Sequence, residues 1–554
     1  MRESLRLHQS LYRHQKAQIS GYLERASAAF KAYEARYRRR TAKYREPLDP
    51  RELAREVSAA DVVYVGDYHT LRQAQQSYLE LVRNAREAGR RVVMALEFIE
   101  GRHQEALDAY LSGRLKERAF RELIGHAPRS AFDLWSGFKP LFDYARESGV
   151  EVLAIDRRAS GGRSLEIRDR YAARRVAMAA RAEDRPLVLV LMGQFHVVPA
   201  HLPARAKAAL GKTERRHLVV YQNCEGVYWR LAREGLVGHV DAVRLSDDEL
   251  CLFNASPVVC QQSFLDYLEA EGGDEPLLER AAGERFREMG RLLGKMLGLK
   301  VDAHLASVEV STPADTHVLD RIAERGNFSE RELAQIRKQL HAREGYYLPR
   351  AKLAYLGSLS LNHAAEEAAH CVRHACVGER MERPRRPAEA FYARCLEEAL
   401  GFFGSKVVNP HRRCPDVADW ALAFEGADPE ARQVAAFVLA HKAAETEHGE
   451  EAAKLVPLRE DGLFHGVSHA LGYLLGDAIY RAFDLGALSA EGMSQLFQDP
   501  FDQAQKTYFE LVRTYVASRR GPRRAAESGS MNEAEAGGLA REGTSHRGGA
   551  LRRE

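Results

Sequence analysis

Val62-Val63-Tyr64-Val65-Gly66-Asp67-Tyr68-His69-Thr70 is the stretch on which the reading of this chain turns. Its first four residues are β-branched or aromatic, which marks a short buried strand. The run stops at Gly66, and a polar loop with one His follows. The same construction returns at Leu187-Val188-Leu189-Val190-Leu191-Met192-Gly193-Gln194-Phe195-His196. In open α/β sheets, ligands sit in the crevice beyond the carboxyl ends of the strands. Two strands that each close on Gly-x-x-His therefore point to one site on the sheet edge. Glycine at each exit is expected to adopt backbone angles closed to other residues, turning the imidazole back over the edge.

Outward from these two motifs the pattern alternates. Strands are expected at Val62–Val65, Val92–Leu96, Val152–Ile155, Leu187–Leu191 and His217–Tyr221, with helical stretches at Leu71–Ala88 and Phe138–Ser148. Such alternation implies a mostly parallel sheet with helices on its faces, and strands without polar alternation imply burial on both sides. The fold class is thus an α/β N-terminal domain followed by an all-α helical domain. The expected limits are a helical arm with a solvated basic face over 1–50, the α/β domain over 51–262, the helical domain over 263–518, and a disordered tail over 519–554 that is nearly free of large apolar residues. In the helical part, Ser329-Glu330-Arg331-Glu332 is a capping-box start and Asp428-Pro429-Glu430 another start. Pro349 is expected to open a helix that Gly378 closes, and Ala306–Val310 to form a short strand.

With 554 residues the chain exceeds one ordinary core. A net charge of +4 on 29% charged residues gives no global case for nucleic-acid binding. Seven cysteines, an odd number scattered through a long chain, do not make a disulfide framework and suit a reducing compartment. The charged start Met1-Arg2-Glu3-Ser4-Leu5-Arg6 is not followed by an apolar h-region, and no run approaches the length of a membrane span. The expectation is a cytoplasmic protein.

Glu97 follows the second strand and so shares the sheet edge with His69 and His196. One carboxylate and two imidazoles could hold a metal ion or perform acid–base work on a water. Asp67 lies on the first loop. Asp156, Arg157 and Arg158 end the third strand and offer an acid and fixed cations, with Arg157 or Arg158 able to steady a developing anion. Tyr68, Tyr110 and Tyr144 are candidate cofactor contacts beside Trp135 and Phe138. Tyr and His are both haem-iron ligands, although ordinary core packing accounts for the same aromatics.

These motifs resemble a family. Gly66-Asp67-Tyr68-His69, Ala95-Leu96-Glu97-Phe98, Gln104 with Leu107-Asp108-Ala109-Tyr110-Leu111-Ser112-Gly113, Ile167-Arg168-Asp169-Arg170-Tyr171-Ala172, and Gly193-Gln194-Phe195-His196-Val197-Val198-Pro199 look like the ChaN family of the Tiki/TraB/erythromycin-esterase-like superfamily. The resemblance covers about the α/β domain. It implies a site above the sheet, with haem binding in iron uptake for ChaN relatives and hydrolysis by His and Glu, sometimes with a metal, for the others. By position it gives the site role to His69, Glu97 and His196.

In the helical part, His363, Glu367 and His370 repeat the spacing of His441, Glu445 and His448. Offsets of four and seven place each set within about 60° of helix surface. His374 continues the first stripe. Paired Glu-x-x-His segments on facing helices build dinuclear iron or manganese sites, with Asp477 as a further carboxylate. Equally, Ala-rich helices carry Glu and occasional His on polar faces. Three functions follow as expectations: a haem- or iron-binding protein with a small-molecule or haem ligand, a metal-dependent hydrolase, or a non-catalytic scaffold with a helical partner-binding domain.

Overall fold

The computed structural model describes residues 2–22, 27–126, 133–271, 275–313, 315, 317–341, 345–357, 360–426, 428–447, 449–457 and 462–516. The tail expected over 519–554, and His448, lie outside the described residues.

The α/β domain is built on an eight-stranded sheet. Its strands are β1 (Glu46–Leu48), β2 (Val62–Asp67), β3 (Val92–Glu100), β4 (Glu151–Asp156), β5 (Leu187–Gly193), β6 (His217–Gln222), β7 (Ala242–Ser246) and β8 (Glu249–Leu252). The order across the sheet is β1-β7-β8-β6-β2-β5-β3-β4. Strands β8, β6, β2, β5, β3 and β4 pair in parallel, and β7 pairs antiparallel with both β8 and β1. The five expected strands are all present. The other three strands, β1, β7 and β8, carry too few apolar residues in a row to stand out from sequence.

Successive side chains of a strand face opposite ways, and that alternation divides the core. Val63, Val65, Met94, Leu96, Leu189 and Leu191 enter one apolar layer with Tyr78, Val82, Phe138 and Phe142. Val62, Tyr64, Val93, Ala95, Val188 and Val190 enter the opposite layer with Ala172, Val176, Leu202 and Ala206. Helices therefore cover both faces. Central β2 and β5 are neighbours, yet the chain leaves them in opposite directions. From β2 it crosses β5 to reach β3, and from β5 it crosses β2 to reach β6. This divergence opens a crevice at their carboxyl ends.

The helical domain centres on Leu361–Val377, Pro387–Val408 and Gly462–Asp484. Gly472 and Gly476 let the last two approach closely. A Cβ on Gly476 would stand 2.5 Å from the Ala399 carbonyl oxygen and 3.1 Å from Phe402 Cβ. The domain is not wholly helical. Glu309–Ser311, Tyr346–Leu348 and Leu353–Tyr355 (β9, β10, β11) form a small sheet in the order β10-β11-β9. Ala306 ends a short helix, and only the end of the expected Ala306–Val310 strand is extended. Pro349 lies between β10 and β11 rather than at a helix start. Leu361–Val377 begins after Ser360, and Gly378 closes it at φ +64°. The Ser329/Glu332 capping box forms, and Asp428 accepts from Glu430 N–H at 3.0 Å.

The 1–50 segment is mainly helical and its basic residues, such as Arg13, Arg38, Arg39 and Arg40, face solvent as expected, but it also holds strand β1. The segment's apolar stripe is buried. In Arg2–Tyr22, Leu11 and Tyr12 join the helical-domain core, and a His8 ring nitrogen meets the Val407 carbonyl at 2.6 Å. In Ala28–Arg40, Tyr33 and Tyr37 are buried on the α/β domain. No helix among the described residues is long and apolar enough to cross a membrane.

Gly476→Val overfills the closest helix crossing and is expected to destabilise the protein by about 2 kcal/mol or more. Gly21→Ala, where an added Cβ meets nothing within 4 Å, should be neutral or mildly stabilising. Thermal melts of the two variants check this.

Candidate functional site

The crevice between β2 and β5 gathers the residues at issue. Gly66 is the last residue but one of β2 and Gly193 the last of β5, but neither takes a positive φ, which corrects the backbone-angle expectation. Space is the reason at Gly66, where a Cβ would lie 2.8 Å from Gln194 Cγ. At Gly193 a Cβ would stand 3.5 Å from Glu97 Oε2 and 3.7 Å from His196 Cδ2. The Gly-x-x-His turn is closed by His196 N–H donating to the Gly193 carbonyl at 2.8 Å.

Glu97 is buried at the centre. Pairing of β3 with β4 shifts register between Leu96 and Glu100, an irregularity of the kind that re-aims a side chain. One carboxylate oxygen, Oε1, pairs with Arg168 Nη2. The other, Oε2, accepts the Gly193 N–H at 2.5 Å and stands 3.6 Å from His69 Nε2. Arg168 also donates from Nε to Asp156 at 2.7 Å.

Each histidine is backed by a buried aspartate. His69 Nδ1 lies 2.6 Å from Asp67 Oδ2, and Gln75 donates to the other Asp67 oxygen at 2.6 Å. His196 Nδ1 lies 2.6 Å from Asp169 Oδ1, and the Tyr33 hydroxyl donates to Asp169 Oδ2 at 2.8 Å. A carboxylate on Nδ1 fixes the tautomer and leaves Nε2 for chemistry. The His69 side chain is 43% exposed while Asp67 and Glu97 are closed off, so His69 is where solvent reaches the group. Phe98 stacks between His126 and Phe138 at 4.2 and 3.9 Å, and Phe138 lies 6.3 Å from the His69 ring. These rings form an apolar wall beside it.

Charge follows from geometry. Burial works against a charged His69, but the Asp67 and Glu97 carboxylates outweigh it and raise its pKa to about 9. Burial alone would push the Glu97 carboxyl up. His69, Arg168, His196 and the Gly193 N–H outweigh that and hold it below the usual carboxylate range. For Asp156 burial wins over the Arg168 guanidinium, and its pKa is raised.

The structure thus brings His69, Asp67, Glu97 and His196 together. Arg157 and Arg158 are exposed and do not join them: the Arg157 guanidinium lies 6.0 Å over Tyr171, and the Arg158 main-chain N–H donates to Glu100. The cation at the site is Arg168, one helical segment further on. Tyr110 is core, stacked on Phe120 at 4.6 Å. Tyr144 lies under Arg83, and Tyr68 packs against the helical-domain core. Arg168, Asp169, Gln75 and Tyr33 carry the second layer. The first two stand in the quoted Ile167–Ala172 stretch, whereas Tyr33 had no signal beyond helical spacing.

Within the described residues, which leave out His448, the two helical His/Glu stripes do not combine. Among the described residues, Glu366, His370 and Glu398 bring ligand atoms within 4.8 Å of one another, so Glu366 rather than Glu367 faces His370's side of the bundle. Arg412 pairs with Glu366 at 2.8 Å and Arg394 with Glu398 at 2.5 Å, while His469 Nδ1 lies 2.9 Å from Glu398. Two guanidiniums already balance the two carboxylates. Glu367 turns toward Gly345, and burial pushes its carboxyl well up. His363 is near Glu366 and Arg412, and burial lowers its pKa. His441 instead meets the Tyr392 hydroxyl at 2.9 Å and Glu445 at 3.2 Å, with Tyr508 on the same Glu445 oxygen. Asp477 faces Lys406 at 3.3 Å and Arg481 at 2.9 Å.

Because the His69 pKa lies above its unfolded value, its ion pairs stabilise the fold fully below about pH 6.5. They are lost as pH rises through about 9. The melting midpoint of the protein should therefore fall between those pH values, and that fall should be smaller in His69→Gln, measured by melts across pH 6 to 10.

Residues 53–161 match the family model described as haem-binding uptake, Tiki superfamily, ChaN. His69 and Glu97 lie inside that match, and Arg168, Asp169 and His196 beyond it. Over 112 residues, 19% of this chain, the sequence is 29% identical to Protein RETICULATA-RELATED 5, chloroplastic, of Arabidopsis thaliana. The chain spans only 15% of that relative's length. Among solved structures it is similar to one titled cofacial heme binding to ChaN of Campylobacter jejuni, at 14% identity over 32% of this chain and 87% of that one, with a TM-score of 0.25. It is also similar to the type III effector HopBA1, at 16% identity over 38% of this chain and 97% of that one, with a TM-score of 0.28. The first part of the α/β domain, residues 53–161, is thus similar to the haem-binding-uptake, Tiki-superfamily ChaN family.

Proposed function

We propose that the α/β domain hydrolyses an ester or amide, with a water activated beside Glu97. The observation that carries this reading is the pair of His–Asp dyads, His69–Asp67 and His196–Asp169, set around one buried, ionised carboxylate. With Asp169 holding the proton on Nδ1, His196 offers Nε2 as the base. It takes a proton from water, whose oxygen attacks the carbonyl carbon. His69, kept charged by Asp67 and Glu97, gives its proton to the leaving oxygen or nitrogen as that bond breaks. Glu97 holds the imidazolium in place, and Arg168 keeps Glu97 from turning away. The Phe98–Phe138 wall beside His69 limits water and offers an apolar face to the acyl part of a substrate.

A second reading is haem binding in haem or iron handling, favoured by the family match over residues 53–161. Haem supplies an iron that takes His or Tyr. His69 is the residue that fits, being half exposed with a carboxylate on Nδ1. Its Nε2, however, faces Glu97 across 3.6 Å. That gap suits a single oxygen or small ion, and a macrocycle needs the same flank clear.

Turnover of an ester and peptide library should be lost in His69→Ala and His196→Ala, with far-UV circular dichroism unchanged. The rate should fall as pH rises past about 9, where His69 loses its proton. Asp67→Asn removes one of the two carboxylates that raise His69, so its alkaline limb should move to lower pH. A Soret band on haem titration that disappears in His69→Ala, without turnover, would replace hydrolysis by haem binding. Neither signal would leave the scaffold reading.

A further inference from the structure

His304, Tyr347 and His374 come from three elements of the helical domain. His304 lies on the short helix Asp302–Ala306, Tyr347 on β10, and His374 near the end of Leu361–Val377. Their polar atoms meet in a triangle. Tyr347 Oη is 3.0 Å from His304 Nε2 and 3.4 Å from His374 Nδ1, and the two ring nitrogens are 3.2 Å apart. Both imidazoles are half-buried, so the triangle is reachable from solvent.

Hydrogen bonding alone does not explain three such contacts. An imidazole nitrogen either carries a proton and donates, or lacks one and accepts. One ring nitrogen here must donate and the other accept, and the phenol has one proton to give. At most two well-directed hydrogen bonds serve three edges. A cation at the centre would use a lone pair from every corner. Three ligands on a tetrahedral ion with bonds of roughly 2.0–2.1 Å stand about 3.3 Å apart, and the observed edges bracket that value.

We propose that His304, Tyr347 and His374 bind one first-row transition-metal cation of the zinc or copper class, leaving a fourth position open to water. Two imidazoles and a phenolic oxygen are borderline ligands of the kind those ions take. Burial lowers the pKa of both histidines, His374 to about 4, with Lys352 adding to the effect at His304. The rings are therefore neutral, the form that ligates. The Glu366–His370–Glu398 cluster differs in that two guanidiniums already neutralise it.

The test is titration of the full chain, stripped with chelator, with Co2+ as a visible probe and Zn2+ as competitor. One equivalent of Co2+ should give a visible absorption band that Zn2+ bleaches. The band should be lost in His304→Gln and His374→Gln, weakened in Tyr347→Phe, and kept in His69→Ala and Glu366→Gln. No uptake, or a band that survives in both His304→Gln and His374→Gln, overturns the site. In case those variants fold poorly, the unaltered protein gives a second readout. Zn2+ should shield His304 and His374 from diethyl pyrocarbonate, read by peptide mass spectrometry, and equal modification with and without Zn2+ overturns the site as well.

Discussion

A carboxylate removed from water must find opposite charge and hydrogen bonds where it lies. Glu97 sets that demand, and much of the α/β domain answers it. Arg168 supplies the fixed cation, which orients the helix Ser164–Ala180 and brings Asp156 to the same guanidinium. The chain after β5 turns so that Gly193 presents its N–H. His69 closes the third side. Removing Arg168 would strand two acids in a poorly solvated crevice, whereas removing an exposed cation such as Arg157 would leave the arrangement intact.

The two halves of the protein handle buried charge differently. At the sheet edge, acids are placed behind histidines, so each ring has its Nδ1 held and its Nε2 left for chemistry. In the helical domain the acids pair mainly with arginine and lysine: Glu366 with Arg412, Glu398 with Arg394, Asp477 with Lys406. Guanidinium pairs of this sort fix helix positions and leave little proton-transfer capacity. The first arrangement suits chemistry and the second suits architecture.

That difference explains what could be read from the residues alone. The strand-ending Gly-x-x-His motifs and Glu97 were legible because a parallel sheet puts every strand's carboxyl end on one edge, whatever the sequence distance. Arg168 was harder. The pair Arg157-Arg158 sits directly after a strand and looked like the natural cation, but a long side chain from the next helix reaches Glu97 instead. Tyr33 was out of reach, since only tertiary packing brings a residue of the first helices to Asp169. The repeated His/Glu spacing predicted faces correctly as helical but not their partners. Spacing fixes which residues share a stripe, and helix rotation within the bundle decides that Glu366 and not Glu367 meets Glu398. Pro349 misled for a similar reason, because it serves a hairpin turn as readily as a first helical turn.

The first forty residues also impose an order of events on synthesis. Arg2–Tyr22 rests on carbonyl groups and apolar side chains that the ribosome delivers several hundred codons later, such as Val407. Ala28–Arg40 meanwhile lends Tyr33 to the aspartate behind His196. A nascent chain can lay down its sheet early and seat Ala28–Arg40 on it, yet Arg2–Tyr22 has no finished seat until Val407 emerges. The hydroxyl that braces His196 thus follows, along the chain, a helix that stays unseated until residues near 407 are made.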